Sequence, residues 1–424
     1  MKHLRATAFC LLLSVVSLVS FAPWAQARPQ ADSVILLIGD GMGPGQIEMT
    51  RGALGRPLEM ERMDFSGVMA TRSLGGKVTD SAAAATAMYT GHKVTNGVMS
   101  LSTDGKPLET IAERCLIRHK TVGVITTDAL WGATPGALLA HTRSRGERSE
   151  IARQMAESRA QVMCGYWTSE FLPKSADGKR EDGKDLIAWL RNAGYQVVYT
   201  RDQLKEAQKQ KLVGLFDDGD QAPTLADIVS AALDRLGTNA SGFFVMVEGA
   251  RVDWAGHDSD PLGVFAETRD FDQAVGEAMR FARKRGRTLV LVTADHETGG
   301  LQVEAPARLP VLTRAKGTLS QIASHLNADR TNVQQVMRDY AGIEDLKPKE
   351  IAQIKQDKDP AQAIAAVISA HAGVKWTEDG DHTATPVRVF AFGPGAERFT
   401  GEMDNTDLPK RIADILGIGP FPTP

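Results

Sequence analysis

The sequence predicts an α/β protein: a doubly wound, mostly parallel central sheet flanked by helices, with a helical insertion. Three observations predict it. Short apolar runs rich in β-branched residues alternate with helix-like stretches, the pattern of a layered α/β sandwich. The runs are apolar at almost every position, as in strands buried on both faces. One stretch towards the C-terminus has helical spacing and no strong strand signal.

The strand-like runs are, in order, Ser33–Ile38, Thr121–Thr126, Gln196–Tyr199, Phe243–Val247, Thr288–Thr293 and Val387–Phe392. Helical patterns fall between them at Ser81–Thr90, Pro107–Arg118, Glu147–Arg159, Gly183–Ala193, Thr224–Leu236 and Pro261–Arg285. From about 305 to 374 the chain is rich in Lys, Gln, Ala and Asp, with helical spacing in Leu319–Leu326, Val333–Tyr340 and Ala361–His371. This insertion reads as a lid, a subunit contact or a solvated decoration. There is no internal repeat and no long low-complexity linker, so residues 28–424 read as one catalytic domain.

Residues 1–27 read as a secretory signal peptide. Lys2, His3 and Arg5 form a basic start, Phe9 to Phe21 is apolar, and Ala25-Gln26-Ala27 is a small-x-small cleavage site. The apolar run is too short for a comfortable membrane span. Its removal takes away Lys2 and Arg5 and no carboxylate, which moves the formal charge from −3 to −5. That balance gives no reason to expect nucleic acid as a partner, and no later segment reads as a membrane span. The expectation is a periplasmic or secreted protein. An oxidising compartment permits a disulfide between Cys115 and Cys164, which the sequence leaves open.

The chemistry collects just after the strands. Ser33–Ile38 leads into Gly39-Asp40-Gly41-Met42-Gly43. Phe243–Val247 leads into Glu248, with Asp253 and His257 shortly after. Thr288–Thr293 leads into Asp295 and His296, and His382 lies just before Val387–Phe392. Ligands of open α/β sheets bind beyond the carboxyl ends of the strands. Four carboxylates converging there would repel one another unless cations neutralised them. Carboxylate with imidazole suits zinc, whereas an all-oxygen set suits magnesium. Ser81 falls in the first turn of an Ala-rich helix, where free N–H groups and the macrodipole favour an anion. A plain N-cap at Asp80 or Ser81 explains the same residues without catalysis. The absence of a GxSxG elbow argues against a histidine-dependent serine hydrolase.

Six stretches, in order, resemble the alkaline phosphatase family: Leu37–Gly43, Thr79–Ala83, Ala133-Thr134-Pro135, Val247-Glu248-Gly249, Thr293–His296 and Asp381-His382-Thr383. The resemblance implies hydrolysis of small-molecule phosphate monoesters through a phosphoserine on Ser81. It implies that Asp253, His257 and His382 hold one Zn²⁺ and that Asp40, Asp295 and His296 hold a second. It implies a third ion, usually Mg²⁺, at Asp40, Thr134 and Glu248, and it is compatible with a homodimer. Arg145 matches the family's phosphate-clamping arginine, and a planar guanidinium suits two phosphoryl oxygens at once. Two positions depart from the best-known enterobacterial member: an aspartate two residues before the threonine is Gly132 here, and a lysine after the zinc-binding aspartate is Trp254. Trp254 is then free to stack on substrate, to shape the mouth of the pocket or to pack against the insertion. Rival readings are a phosphodiesterase or sulfuryl-transfer relative, or a non-catalytic phosphate or metal binder.

Overall fold

The computed structural model describes residues 30–421; the signal-peptide reading of 1–27 lies outside them. The apolar runs form strands because each offers β-branched or aromatic side chains to a layer of helices on either face. In chain order the strands are β1 (Ser33–Gly39), β2 (Phe65–Ala70), β3 (Thr121–Ala129), β4 (Val162–Tyr166), β5 (Gln196–Val198), β6 (Leu212–Phe216), β7 (Phe243–Gly249) and β8 (Thr288–Thr293). The short β9 (Glu297–Thr298), β10 (Leu301–Val303), β11 (Val374–Trp376) and β12 (His382–Thr383) follow, then β13 (Val387–Phe392) and β14 (Gly401–Asp404).

Ten of these make one sheet in the order β14-β2-β13-β8-β1-β7-β3-β4-β6-β5. From β8 to β5 every neighbour is parallel. The strand β13 runs against both β8 and β2. Every residue of β1, β7 and β8 is buried, as double coverage by helices requires. The sheet is thus the mostly parallel one expected, with β2, β4, β6 and β14 added to the runs read from the sequence.

The helix Ser81–Thr90 carries Ser81 and the short helix Arg251–His257 carries Asp253 and His257, while a long helix packs behind them. All ten residues of the helix Ser81–Thr90 are buried; its alanines let it lie flush, and Gly91 ends it in the left-handed conformation. The 25-residue helix Pro261–Arg285 begins with Asp260 capping the N–H groups of Leu262 and Gly263, with Pro261 at its first position. The helix expected from Pro107 begins only at Ile111, because Thr110 and Glu113 form a capping box.

Within 305–374 the chain folds into the helices Leu319–Ser324, Val333–Ala341, Pro348–Gln356 and Pro360–Ala372. The strands β10 and β11 pair antiparallel, Leu301 with Trp376 and Val303 with Val374, and join the two ends of this segment. Cys115 lies in the helix Ile111–Ile117 and Cys164 in β4; both are buried free thiols, so no disulfide links them. Among the described residues no helix is long and apolar enough to cross a membrane.

Candidate active site

The register of the central strands decides which side chains meet. Ile38 of β1 pairs with Glu248 of β7 and with Thr293 of β8, and Glu248 also pairs with Thr126 of β3. Asp40, Asp253 and Asp295 leave these strands from the same edge of the sheet. Gly41 makes the turn after β1 at φ +68°, and a Cβ there would sit 2.7 Å from Asp253 Cα, so glycine is required. The turn delivers the Gly41 N–H to Asp295 Oδ1 at 3.2 Å, and the same oxygen accepts from the His296 N–H at 3.0 Å.

Two triads result. The donor atoms of Asp253, His257 and His382 all lie within 4.8 Å of one another, and so do those of Asp40, Asp295 and His296. In the first, His257 Nε2 is 3.1 Å from Asp253 Oδ2 and 3.2 Å from His382 Nε2. In the second, His296 Nε2 is 3.3 Å from Asp295 Oδ2 and 3.5 Å from Asp40 Oδ1. The rings of His296 and His382 stack with centroids 3.6 Å apart, so the triads adjoin. Each imidazole has its other nitrogen engaged. Nδ1 of His257 meets Gly380 O at 2.5 Å, that of His382 meets Thr79 O at 2.9 Å, and that of His296 meets Thr298 Oγ1 at 3.2 Å. Such outer contacts fix the ring orientation and leave Nε2 as the ligating atom.

The electrostatics call for cations. Burial, then the charges of Asp295, Asp253 and Glu248, push Asp40 well above the usual carboxylate range. Burial and the Asp253 charge push Asp295 up to about 7. Burial and the Asp128 charge push Glu248 up to about 8. Burial drives His296 down to about 4, so its ring is neutral and able to ligate. Burial would raise Asp253 too, but hydrogen bonds from His257 and Thr298 and the nearby His296 hold it low. Asp40 Oδ1, Asp295 Oδ2 and Thr134 Oγ1 are buried with no hydrogen-bond partner. Unpaired buried oxygens beside neutral imidazole nitrogens are a donor set that fits zinc.

Ser81 opens the helix Ser81–Thr90 at the junction of the triads, its Oγ 3.3 Å from His296 Nε2. Asp80 is the N-cap. Its Oδ1 accepts from the Ala83 N–H at 3.0 Å, and its Oδ2 accepts from Arg145 Nη1 at 3.3 Å. Arg145 is therefore held one residue from Ser81, half exposed. Behind Asp40, Glu248 accepts a hydrogen bond from Thr126 Oγ1. Thr134 Oγ1 lies near enough to lower the Glu248 pKa, without a hydrogen bond of good geometry. All ten residues singled out in the sequence reach this one region.

Some residues of the site were not singled out. Thr298 Oγ1 donates to Asp253 Oδ1 at 2.5 Å and also contacts His296 Nδ1, tying the two triads together. Asp128 lies on β3, beyond the point where the apolar run ends. Trp254 takes Trp167 as its ring partner, stacked at 6.2 Å and 4°. A cleft of about 580 Å³ opens beside Arg145, lined by Asp128, Trp131, Gly132, Trp167 and Lys179.

Comparison with known proteins gives the family and agrees with the fold. The alkaline phosphatase family profile matches residues 31–418. "Alkaline phosphatase 4" of Bacillus subtilis is 34% identical over 93% of this chain and 90% of its own length. A cold-active alkaline phosphatase from a psychrophilic Shewanella superimposes with a TM-score of 0.82 at 31% identity, covering 91% of this chain and 99% of its own. An alkaline phosphatase variant from the Antarctic bacterium TAB5, with Mg bound in its M3 site, superimposes with a TM-score of 0.70 at 28% identity over 92% of this chain and 99% of its own. Fold and site together define a metal-dependent phosphoric monoester hydrolase. The chain belongs to the alkaline phosphatase family.

Proposed function

We propose that this chain is an exported phosphomonoesterase of broad specificity that works through a phosphoserine on Ser81. In this reading Asp253, His257 and His382 hold one zinc ion, and Asp40, Asp295 and His296 hold another. Glu248, Thr134 and Asp40 hold magnesium. The single observation that carries the reading is Ser81 Oγ at 3.3 Å from His296 Nε2, where the two triads adjoin.

When bound, the cations supply charge neutralisation and Lewis acidity for the phosphoryl group. The residues of the chain do the rest. Asp80 occupies the Ala83 N–H, which leaves the first N–H groups of the helix and its dipole to the phosphoryl oxygens. Arg145, already beside Ser81 through Asp80, offers its guanidinium to two of those oxygens. The Ser81 Oγ–P bond forms as the bond from phosphorus to the alcohol oxygen breaks. Water then cleaves the phosphoserine and releases inorganic phosphate. The polar groups converge on the phosphoryl group, and the cleft beside Arg145 leaves room for varied alcohols. Export rests on residues 1–27, with 28–424 as one catalytic domain into which 305–374 is inserted.

Phosphomonoester turnover, with and without a chelator, in wild type and Ser81→Ala tests the reading. Chelation and the substitution should each remove turnover, and the variant should still bind zinc. Full activity in zinc-loaded Ser81→Ala overturns the covalent route. Faster cleavage of a diester or sulfate ester than of the matching monoester overturns the substrate class.

A further inference from the structure

Gly132 leaves the third cation pocket without the side chain that the enterobacterial relative places there, yet the space is not open. A Cβ built on Gly132 would lie 2.8 Å from Asp128 Oδ2, 2.9 Å from the Ala129 carbonyl oxygen and 3.6 Å from Asp128 Cγ. The carboxylate of Asp128 thus fills the volume that a side chain at 132 would enter. It arrives by a different route, from β3 rather than from the N-cap of the helix Ala133–Leu139.

The route is set at the end of β3. Thr126 is in register with Glu248 across β3 and β7. The pairing of β3 with β7 ends at Thr126, and its register against β4 shifts between Ile125 and Ala129, so a local turn and not regular alternation aims Asp128. A hydrogen bond from the Asp128 N–H to Thr126 Oγ1, at 2.8 Å, fixes the step, and that hydroxyl itself donates to Glu248. No Lys or Arg side chain forms an ion pair with Asp128 among the described residues, although Arg145, Arg251 and Arg148 act on it from farther away. A second observation marks the place as a cation pocket. Thr134, two residues from Gly132 and 1% exposed, has a hydroxyl with no hydrogen-bond partner.

We propose that Asp128 supplies, from β3, the carboxylate that Gly132 lacks, and that with Glu248 and Thr134 it binds a hard divalent cation of the magnesium class, directly or through water. This rests on the third site assigned above. It makes Asp128 a residue that sets occupancy and ion preference of that site. A side chain at 132 would meet the Asp128 carboxylate and the Ala129 carbonyl oxygen together.

The test is equilibrium dialysis of the zinc-loaded protein against Mg²⁺, with metal analysis per chain and a thermal melt to confirm folding. Wild type should bind one Mg²⁺ beyond the zinc. Asp128→Asn should weaken that binding by at least about tenfold, as loss of a shell carboxylate does. Asp217→Asn, a carboxylate elsewhere in the same cleft, should leave it unchanged. Asp128→Asn with Mg²⁺ affinity within twofold of wild type, when Glu248→Gln has lost it, overturns the proposal and spares the third site. A wild type that binds no Mg²⁺ overturns both.

Discussion

Stripping the cations should make the fold less stable as pH rises. In the metal-free chain Glu248 titrates at about 8 and Asp295 at about 7, against ordinary values of 4.5 and 3.8. Both folded values lie above the unfolded ones, so the advantage of the protonated form is complete below the unfolded value. It is lost progressively as pH rises to the folded value. From pH 7 to 9 the raised values of Asp40 and His257 and of the buried thiols Cys115 and Cys164 act in the same direction. Above pH 7 the imidazoles of His296 and His382, whose folded values are depressed, are largely neutral in both states and no longer oppose it. Glu248 has about one pH unit left to titrate above pH 7, which is about 1 kcal/mol. Asp295, about half titrated at pH 7, adds a smaller loss of the same sign, for a total on the order of 1–2 kcal/mol. Both groups are fully buried, so solvent does not dilute the effect. The assay is reversible urea unfolding of chelator-stripped, dialysed protein at pH 7 and pH 9, followed by tryptophan fluorescence. The zinc-loaded protein, run in parallel, should hold or gain stability, because the ionised carboxylates are the ligands. A stripped protein as stable at pH 9 as at pH 7, or more so, refutes the reasoning.

Three further outcomes follow from the same structure. Thr298→Val keeps the shape but removes the hydroxyl between Asp253 and His296; zinc affinity measured against a colorimetric chelator should fall about 10- to 100-fold. A twofold change or less would mean that the hydroxyl does not position the ligands. Burial pushes both Cys115 and Cys164 up to about 12, so iodoacetamide at pH 8 should leave them untouched in the folded chain. Both should react in urea without reductant, as mass spectrometry would read; a need for reductant would mean that a disulfide exists. Burial works against the charged form of His141, but its bonds to Glu113 and to Ser100 O hold its pKa above 6.5. A raised folded value stabilises fully below pH 6.5 and is lost as pH rises through it. His141→Gln should therefore cost about 1 kcal/mol at pH 6 and less at pH 8.5, and an equal cost at both by urea unfolding contradicts the pairing.

What the sequence made legible follows from where chemistry sits on this fold. A buried strand announces its end by a change from apolar to polar residues, so Asp40, Glu248, Asp295 and His296 stood out together. Asp128 obeys the same rule, but Thr126-Thr127 ends the apolar run two residues before β3 ends, and the polar pair hid it. The strands β2 and β4, with the sequences FSGVMA and VMCGY, are short and interrupted by glycine, and their pairing partners rather than their own propensity make them strands. The helix Pro44–Leu54 starts directly after Gly39–Gly43, so the glycine-rich loop masked it, although Pro44 at its first position was a start signal. The stacking of Trp254 on Trp167 joins residues 87 positions apart, and no local pattern encodes such a contact.

The antiparallel pair β10–β11 means that a segment of some seventy residues leaves and re-enters the molecule through one doorway. Because its two ends are already adjacent, the cost of closing whatever lies between them grows only logarithmically with length. Evolution, or an engineer, is thus free to shorten, lengthen or exchange that segment as a cassette without touching the ten-stranded sheet. The freedom ends just past the doorway. Only five residues separate Trp376 from His382, and within them Gly380 gives its carbonyl to His257. A graft that keeps the hinge pair but alters 377–381 would reach both imidazoles of one triad at once.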